Sequence, residues 1–220
     1  MNRISLLILA GAATLASASA ASAADLLINQ PAPSYGGGYS STGGWDGAYI
    51  GGFVGYGWGT MADEDGNILL APGDEIDLSG WTVGAKLGAN FSVGGGLVLG
   101  AEGDVAWAGI GGYDAGIDFD VNWTSSLRGR VGYDAGAFMP YLTGGLALAG
   151  ATASDGPTDN SQVHIGWTAG AGVEVAATEQ ISLDLNYRYS DYGQATYDLG
   201  TPSDLDLSTH AVTAGVNFKF

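Results

Sequence analysis

The stretch WTVGAKLGANF at residues 81–91 decides the fold. Trp81, Val83, Ala85, Leu87, Ala89 and Phe91 fall on one side of an extended chain, and Thr82, Gly84, Lys86, Gly88 and Asn90 on the other. Side chains alternate faces along a β-strand, so this period of two describes a ribbon with one apolar side and one polar or tiny side. A tilted strand needs about 9–11 residues to cross a bilayer, and this stretch has that length.

The same pattern recurs outward in both directions, and eight such segments follow Trp45. In the third, Leu97, Leu99, Ala101, Val105 and Trp107 oppose Glu102 and Asp104. In the fourth, Val121, Trp123, Leu127, Val131 and Tyr133 oppose Asn122, Thr124, Ser126, Arg128 and Arg130. The sixth sets Ile165, Trp167, Val173 and Val175 against Thr168 and Glu174, and the seventh sets Ile181, Leu183, Leu185, Tyr187 and Tyr189 against Asp184, Asn186 and Arg188. The eighth sets Val212, Val216, Phe218 and Phe220 against Thr213, Asn217 and Lys219. The first (48–59) and the fifth (140–150) alternate more faintly, with small residues on both faces.

Lys86, Arg128, Arg130, Arg188 and Lys219 all fall on polar faces, together with Glu102, Asp104, Glu174 and Asp184. A soluble sandwich buries its apolar face and scatters Lys and Arg over its surface. Here the charges converge on one interior. A transmembrane barrel has that arrangement, with apolar side chains toward lipid, polar ones toward the lumen and no backbone edge left open in hydrocarbon. The expected fold is therefore all-β: an eight-stranded antiparallel transmembrane β-barrel whose lumen holds these nine residues as a charge network.

Connection lengths alternate as well. Residues 92–96, 134–139 and 177–180 are short links, whereas 60–76, 108–120, 151–162 and 191–206 are long. Short periplasmic turns and long external loops are the outer-membrane pattern. That orientation places Trp58, Trp81, Trp107 and Trp123 near the external end of the lipid face, with Trp167 a little deeper. Phe91, Tyr133, Phe218 and Phe220 gather at the periplasmic end. Two aromatic girdles are thus expected at the membrane interfaces.

The N-terminus reads as an export signal. Arg3 precedes an apolar run from Ile4 to Ala13, and small residues end in Ala21-Ser22-Ala23, an A-x-A cleavage site. Residues 1–23 are the expected signal peptide, with cleavage after Ala24 the alternative. Residues 24–44, rich in Pro, Gly, Ser and Tyr, are the expected flexible linker, and 45–220 the barrel. After cleavage, five basic residues remain against all 23 acidic ones, a net charge of −18. Phosphate backbones require a cationic face, so no nucleic-acid partner is expected. The chain has no cysteine, so in an oxidising envelope the fold must hold without disulfides.

Four blocks carry a family resemblance: WDGAYIGGFVGYGWG at 45–59, SLRGRVGYDAGAFMPYLTGGLALAG at 126–150, GWTAGAGVEVAATEQISLDLNYRYSDYG at 166–193, and the closing HAVTAGVNFKF. With them the chain resembles the small outer-membrane β-barrel family of alphaproteobacteria, which includes Brucella outer-membrane antigens, RopB and haemin-binding proteins, with a barrel like those of OmpA and OmpX. The resemblance implies integral residence in the outer membrane, contact with outer-membrane lipid and lipopolysaccharide, and insertion by the outer-membrane assembly machinery. Terminal Phe220, with aromatic or apolar residues at alternate positions before it, looks like the signal that machinery reads. Haemin binding is known for some members, and this resemblance alone brings it in; a host-surface ligand is the other partner considered.

Functional readings divide at the lumen. Eight strands leave an interior just wide enough for side chains to fill, which favours guanidinium–carboxylate pairs as a plug over an ion path. Catalysis would need a nucleophile, a base and an orienting group. The histidines offered are His164, at a strand end beside a loop, and His210, on the outward face near Ser208 and Thr209, and neither sits in a lipase or acyltransferase motif. Acidic groups at Asp63-Glu64-Asp65 and at Asp74, Glu75 and Asp77 lack EF-hand spacing and read as a solvated anionic loop. Neither an enzymatic activity nor a cofactor is expected, and the leading expectation is a structural and surface protein of the envelope. A narrow porin-like channel and a haemin-binding or adhesive surface protein are the alternatives.

Overall fold

The computed structural model describes residues 44–63, 74–114, 117–154, 159–198 and 202–220. The strands are β1 (Gly47–Asp63), β2 (Asp74–Gly94), β3 (Leu97–Asp114), β4 (Ile117–Tyr133), β5 (Phe138–Ser154), β6 (Asp159–Ala176), β7 (Ile181–Asp198) and β8 (Pro202–Lys219). Each pairs antiparallel with the next, and β8 returns to β1, so the sheet closes into a barrel. The expected signal peptide at 1–23 and the expected linker up to residue 43 lie outside the described residues.

The stretch at 81–91 runs through β2 with the two faces its sequence describes. Trp81, Val83, Leu87 and Phe91 are exposed on the outer wall, while Thr82, Lys86 and Asn90 are buried within. The short links are turns built by their own residues. Between β2 and β3, Gly94, Gly95 and Gly96 take φ of 99°, 64° and 81°, a region that residues with a Cβ avoid. Between β4 and β5, the Asp134 carboxylate accepts the Gly136 N–H at 2.8 Å, a local bond that closes the turn. Residues 135–154 carry no charged side chain, and most of them form strand β5.

On the external side the strands extend further than their membrane-length alternation predicts. At 17 to 21 residues they run well past what a bilayer requires. Most of the segments at 108–120, 151–162 and 191–206 is paired ribbon, as are residues 60–63 and 74–76 of the first; β3 and β4, for instance, are separated only by residues 115 and 116. The cause is a second apolar stripe on the opposite face. Along β2, Ile76 and Leu78 point inward and are buried, whereas from Trp81 onward the apolar residues point outward. Thus the hydrophobic alternation slips by one position at Gly80 while the backbone alternation continues unbroken.

In β4 the switch is made by the backbone instead. The register shift between Val121 and Trp123 turns Val121 inward, where it is buried, so it does not share the lipid face with Trp123, Leu127 and Val131 as the alternation predicts. An extra residue in one strand re-aims every side chain beyond it. The interior above the bulges is an ordinary hydrophobic core that includes Met61, Ile76, Leu78, Ile110, Phe119 and Leu207.

Candidate functional site

The interior at membrane level is filled by charge. Register already places opposite charges face to face: Glu102 lies opposite Arg128, with which it pairs, and Lys86 opposite Asp104. It also places Glu174 directly opposite Asp184, a like-charge pair that is destabilising unless neutralised. The neutralising charges come across the lumen. Arg130 of β4 pairs with Glu174, and Lys86 of β2 reaches Asp184 Oδ1 at 2.9 Å and Glu102 Oε2 at 3.9 Å.

Arg128 joins Glu102 and, at 2.8 Å, Asp104. Arg188 of β7 adds a contact from Nη1 to Asp104 Oδ2 at 3.1 Å. Six of the nine expected charges therefore form one ion-paired set, and Arg130 with Glu174 is a second pair joined to it through Tyr49, whose hydroxyl accepts from Arg130 Nη1 at 3.3 Å. Lys219 takes different partners: its Nζ lies 4.6 Å from the centre of the Trp45 ring and donates to the Gly44 carbonyl at 3.2 Å.

The remaining lone pairs are met by neutral groups that the sequence did not single out. Tyr49 donates to Glu102 Oε2 at 2.7 Å, and Tyr141 donates to Asp184 Oδ2 at 2.7 Å. The Arg130 guanidinium lies 3.7 Å from the Tyr141 ring centre, within cation–π range. Glu174 also accepts from Ser182 and, at 3.0 Å, from Asn217. A Cβ on Gly88 would meet the Tyr49 ring at 2.5 Å, and one on Gly172 the Tyr141 ring at 2.4 Å, so these lumen glycines make room for the tyrosines. The signal available in the sequence was a lone aromatic on an otherwise small, polar face.

Little space is left. Between Phe53, Lys86, Glu102, Arg128, Asp184 and Asn186 the free volume is about 10 Å³, at the lower edge of the roughly 10–15 Å³ that admits one water. At the periplasmic end, Trp45, Val98 and Met139 form a small buried apolar cluster. Towards the exterior the interior holds the larger hydrophobic cluster. His164, expected at a strand end, lies within β6 and is buried, with Nδ1 3.2 Å from the Gly193 carbonyl oxygen.

The outer wall is apolar and ringed with aromatics. Trp58, Trp81, Trp107 and Trp167 are exposed and Trp123 is partly so, while Phe91, Tyr133, Phe218 and Phe220 are exposed toward the short-turn end. The Phe220 N–H donates to the Ala48 carbonyl at 3.0 Å, and its ring meets Phe218 edge-on at 5.4 Å.

A closed antiparallel barrel with a greasy wall and an ion-paired interior defines a protein of the outer-membrane β-barrel class. The family described as outer membrane protein beta-barrel domain matches residues 7–220, and the chain belongs to it. It is 35% identical over 229 residues to the 25 kDa outer-membrane immunogenic protein of Brucella abortus biovar 1 (strain 9-941), with 100% of both chains covered. It is 34% identical over 179 residues to the 22 kDa outer membrane protein of Rhizobium leguminosarum bv. viciae, covering 81% of this chain and 79% of that one. Among solved structures, Neisserial surface protein A aligns at 21% identity with a TM-score of 0.47, over 79% of this chain and 97% of that one. The protein resides in the outer membrane and has an envelope role.

Proposed function

We propose that the protein is a non-conducting, non-enzymatic barrel that reinforces the outer membrane and presents its external ribbons at the cell surface. The observation that carries this reading is the interior packing: about 10 Å³ remains among the central charges, and buried apolar clusters lie on both sides of them. A hydrated ion needs a continuous wet path, and eight strands packed with side chains offer none. Residues 1–23 are read as the export signal, 24–44 as a linker and 45–220 as the inserted barrel. Contact with lipid and lipopolysaccharide and delivery by the assembly machinery through Phe220 belong to the same proposal.

Planar-bilayer recording of the refolded full chain tests it. The expected result is a flat baseline at moderate voltage. Stable single-channel steps, lost when the lumen is blocked by a bulky substitution at Thr213, which faces the central charges, would overturn the sealed-lumen reading.

A further inference from the structure

The outer wall of β8, β1 and β2 differs from the rest of the aromatic girdle. Register aligns Tyr189, His210, Trp58 and Ser79 in one cross-strand row, and Asp191, Ser208, Thr60 and Asp77 in the next row outward. On the other side of the barrel the girdle row is Trp107, Trp123, Gly150 and Val163, without a polar group beyond the indole nitrogens. Trp58, Thr60, Asp77, Ser79, Ser208 and His210 border a depression of about 370 Å³. His210 is held firmly there. Its Nδ1 lies 2.7 Å from the Tyr187 hydroxyl, its ring stacks on Trp58 at 5.8 Å and 14°, and Tyr189 lies 5.0 Å away.

Below this notch, on the same strands, the lipid-facing wall is hollowed. Small Gly52 and Ala214 lie between ridges of Val54, Val83, Leu185 and Val216, forming an apolar groove of about 710 Å³. Val54 shares the outward face with Trp58 four residues away, about 13 Å along the strand. An apolar groove thus leads up to a polar notch at the membrane surface.

Electrostatics narrows the ligand. Lys86, Arg128, Arg130, Arg188 and Lys219 are all held in the interior, so among the described residues the outer wall presents no lysine or arginine. A bare phosphate has no cation to meet here. The notch offers two serine and one threonine hydroxyl, a carboxylate and a flat indole face. Sugar hydroxyls can both donate to Asp77 and exchange hydrogen bonds with Ser79, Thr60 and Ser208, and the apolar face of a sugar ring suits an indole. The Thr60 and Ser208 oxygens are 3.5 Å apart, a weak mutual contact that leaves them bonding capacity.

We infer that this wall binds one glycolipid of the outer leaflet, its sugar head in the Trp58–His210 notch and an acyl chain in the Gly52–Ala214 groove. The inference uses the outward-facing wall alone and does not depend on whether the lumen conducts.

Reconstitution of the full chain in phosphatidylcholine vesicles doped with diglucosyl-diacylglycerol tests it. Lipid retained after extraction into a detergent without sugar is counted by mass spectrometry, and folding is checked by heat-dependent gel mobility. The expected result is one glycolipid retained per barrel, enriched over phosphatidylcholine and over phosphatidylglycerol doped at the same level.

Gly52→Leu fills the groove, and the structure has room for it, since a Cβ there meets only the Gly84 carbonyl oxygen at 3.8 Å. The pair Thr60→Val with Ser208→Ala removes the hydroxyls. Each should cut retention about tenfold, the scale of one or two hydrogen bonds or a few buried methylenes. Gly129→Leu, on the opposite wall with the same clearance from the Gly144 carbonyl oxygen, should change nothing. Equal retention of phosphatidylglycerol, retention indifferent to both notch and groove variants, or full displacement by free maltose would each overturn the inference.

Discussion

The membrane-level half of this barrel and its external half fill the same tube in opposite ways. At membrane level the wall carries Leu87, Leu127 and Leu183 outward and the interior holds Arg128, Arg130 and Glu174. Above the girdle the wall carries Glu75, Asp118 and Asp120 outward, and the interior holds Leu78, Ile110 and Phe119. In each half the outside matches its medium and the inside takes the rest of the alternation. The external half is a soluble β-barrel in its physics, driven by hydrophobic burial. The membrane half gains nothing from hiding apolar side chains, because lipid accepts them as readily as a core does. Its interior must instead be held by hydrogen-bonded ion pairs whose desolvation is matched by close geometry.

The largest expected effect is in the charged interior. Arg130→Ala leaves the Glu174 carboxyl group in the lumen with only Ser182 and Asn217 as partners. Breaking a buried pair from one side costs about 3–5 kcal/mol. A urea titration followed by tryptophan fluorescence should show a loss of that size, and Arg130→Met with Glu174→Gln should recover part of it. A loss near zero would mean that the membrane half is not held by its ion pairs.

Next comes the wall. Leu87→Arg puts a charge against the hydrocarbon midplane, at a cost of about 2–4 kcal/mol, whereas Tyr113→Arg, exposed in the external half, should change stability by less than about 0.5 kcal/mol. Equal costs at Leu87 and Tyr113 in the same titration would erase the boundary between the halves.

A smaller change probes the external core alone. Ile110→Val, buried beside Leu78 and Phe119, should cost about 0.5–1.5 kcal/mol. Hydrogen exchange should quicken at the outer ends of β3 and β4 while the amides around Arg130 stay protected; acceleration throughout would show one cooperative unit. Least of all, Glu75→Gln on the external wall should leave the unfolding midpoint within about 0.5 kcal/mol of the parent, and a larger shift would mean that surface charge supports the ribbons.

Much of this was legible in the chain. The alternation in β2, β3, β6, β7 and β8 names both faces, because a period of two has no other common cause in a segment of this length. β1 and β5 read faintly because Tyr49, Phe53 and Tyr141 are large residues on the inward face, serving the lumen and not the lipid. The external ribbons were harder to see, since a search for one continuous apolar face ends where the apolar phase slips. Reading Glu75, Ile76, Asp77, Leu78, Ser79 as a second alternation of opposite phase would have found the inner core. The bulge that turns Val121 inward left no such trace.

The sequence alone determined that there are eight ribbons, which face of the strongly alternating ones meets lipid and which charges lie on the other face, because those properties are local to a strand and repeat every second residue. Only the tertiary structure decided that Arg130 meets Glu174, that Lys86 bridges Asp184 and Glu102, and that Lys219 turns to Trp45. Partners across a lumen are chosen by the stagger of all the strands and by closure of β8 onto β1, so residues 44 positions apart, as Arg130 and Glu174 are, meet only once the ring is complete.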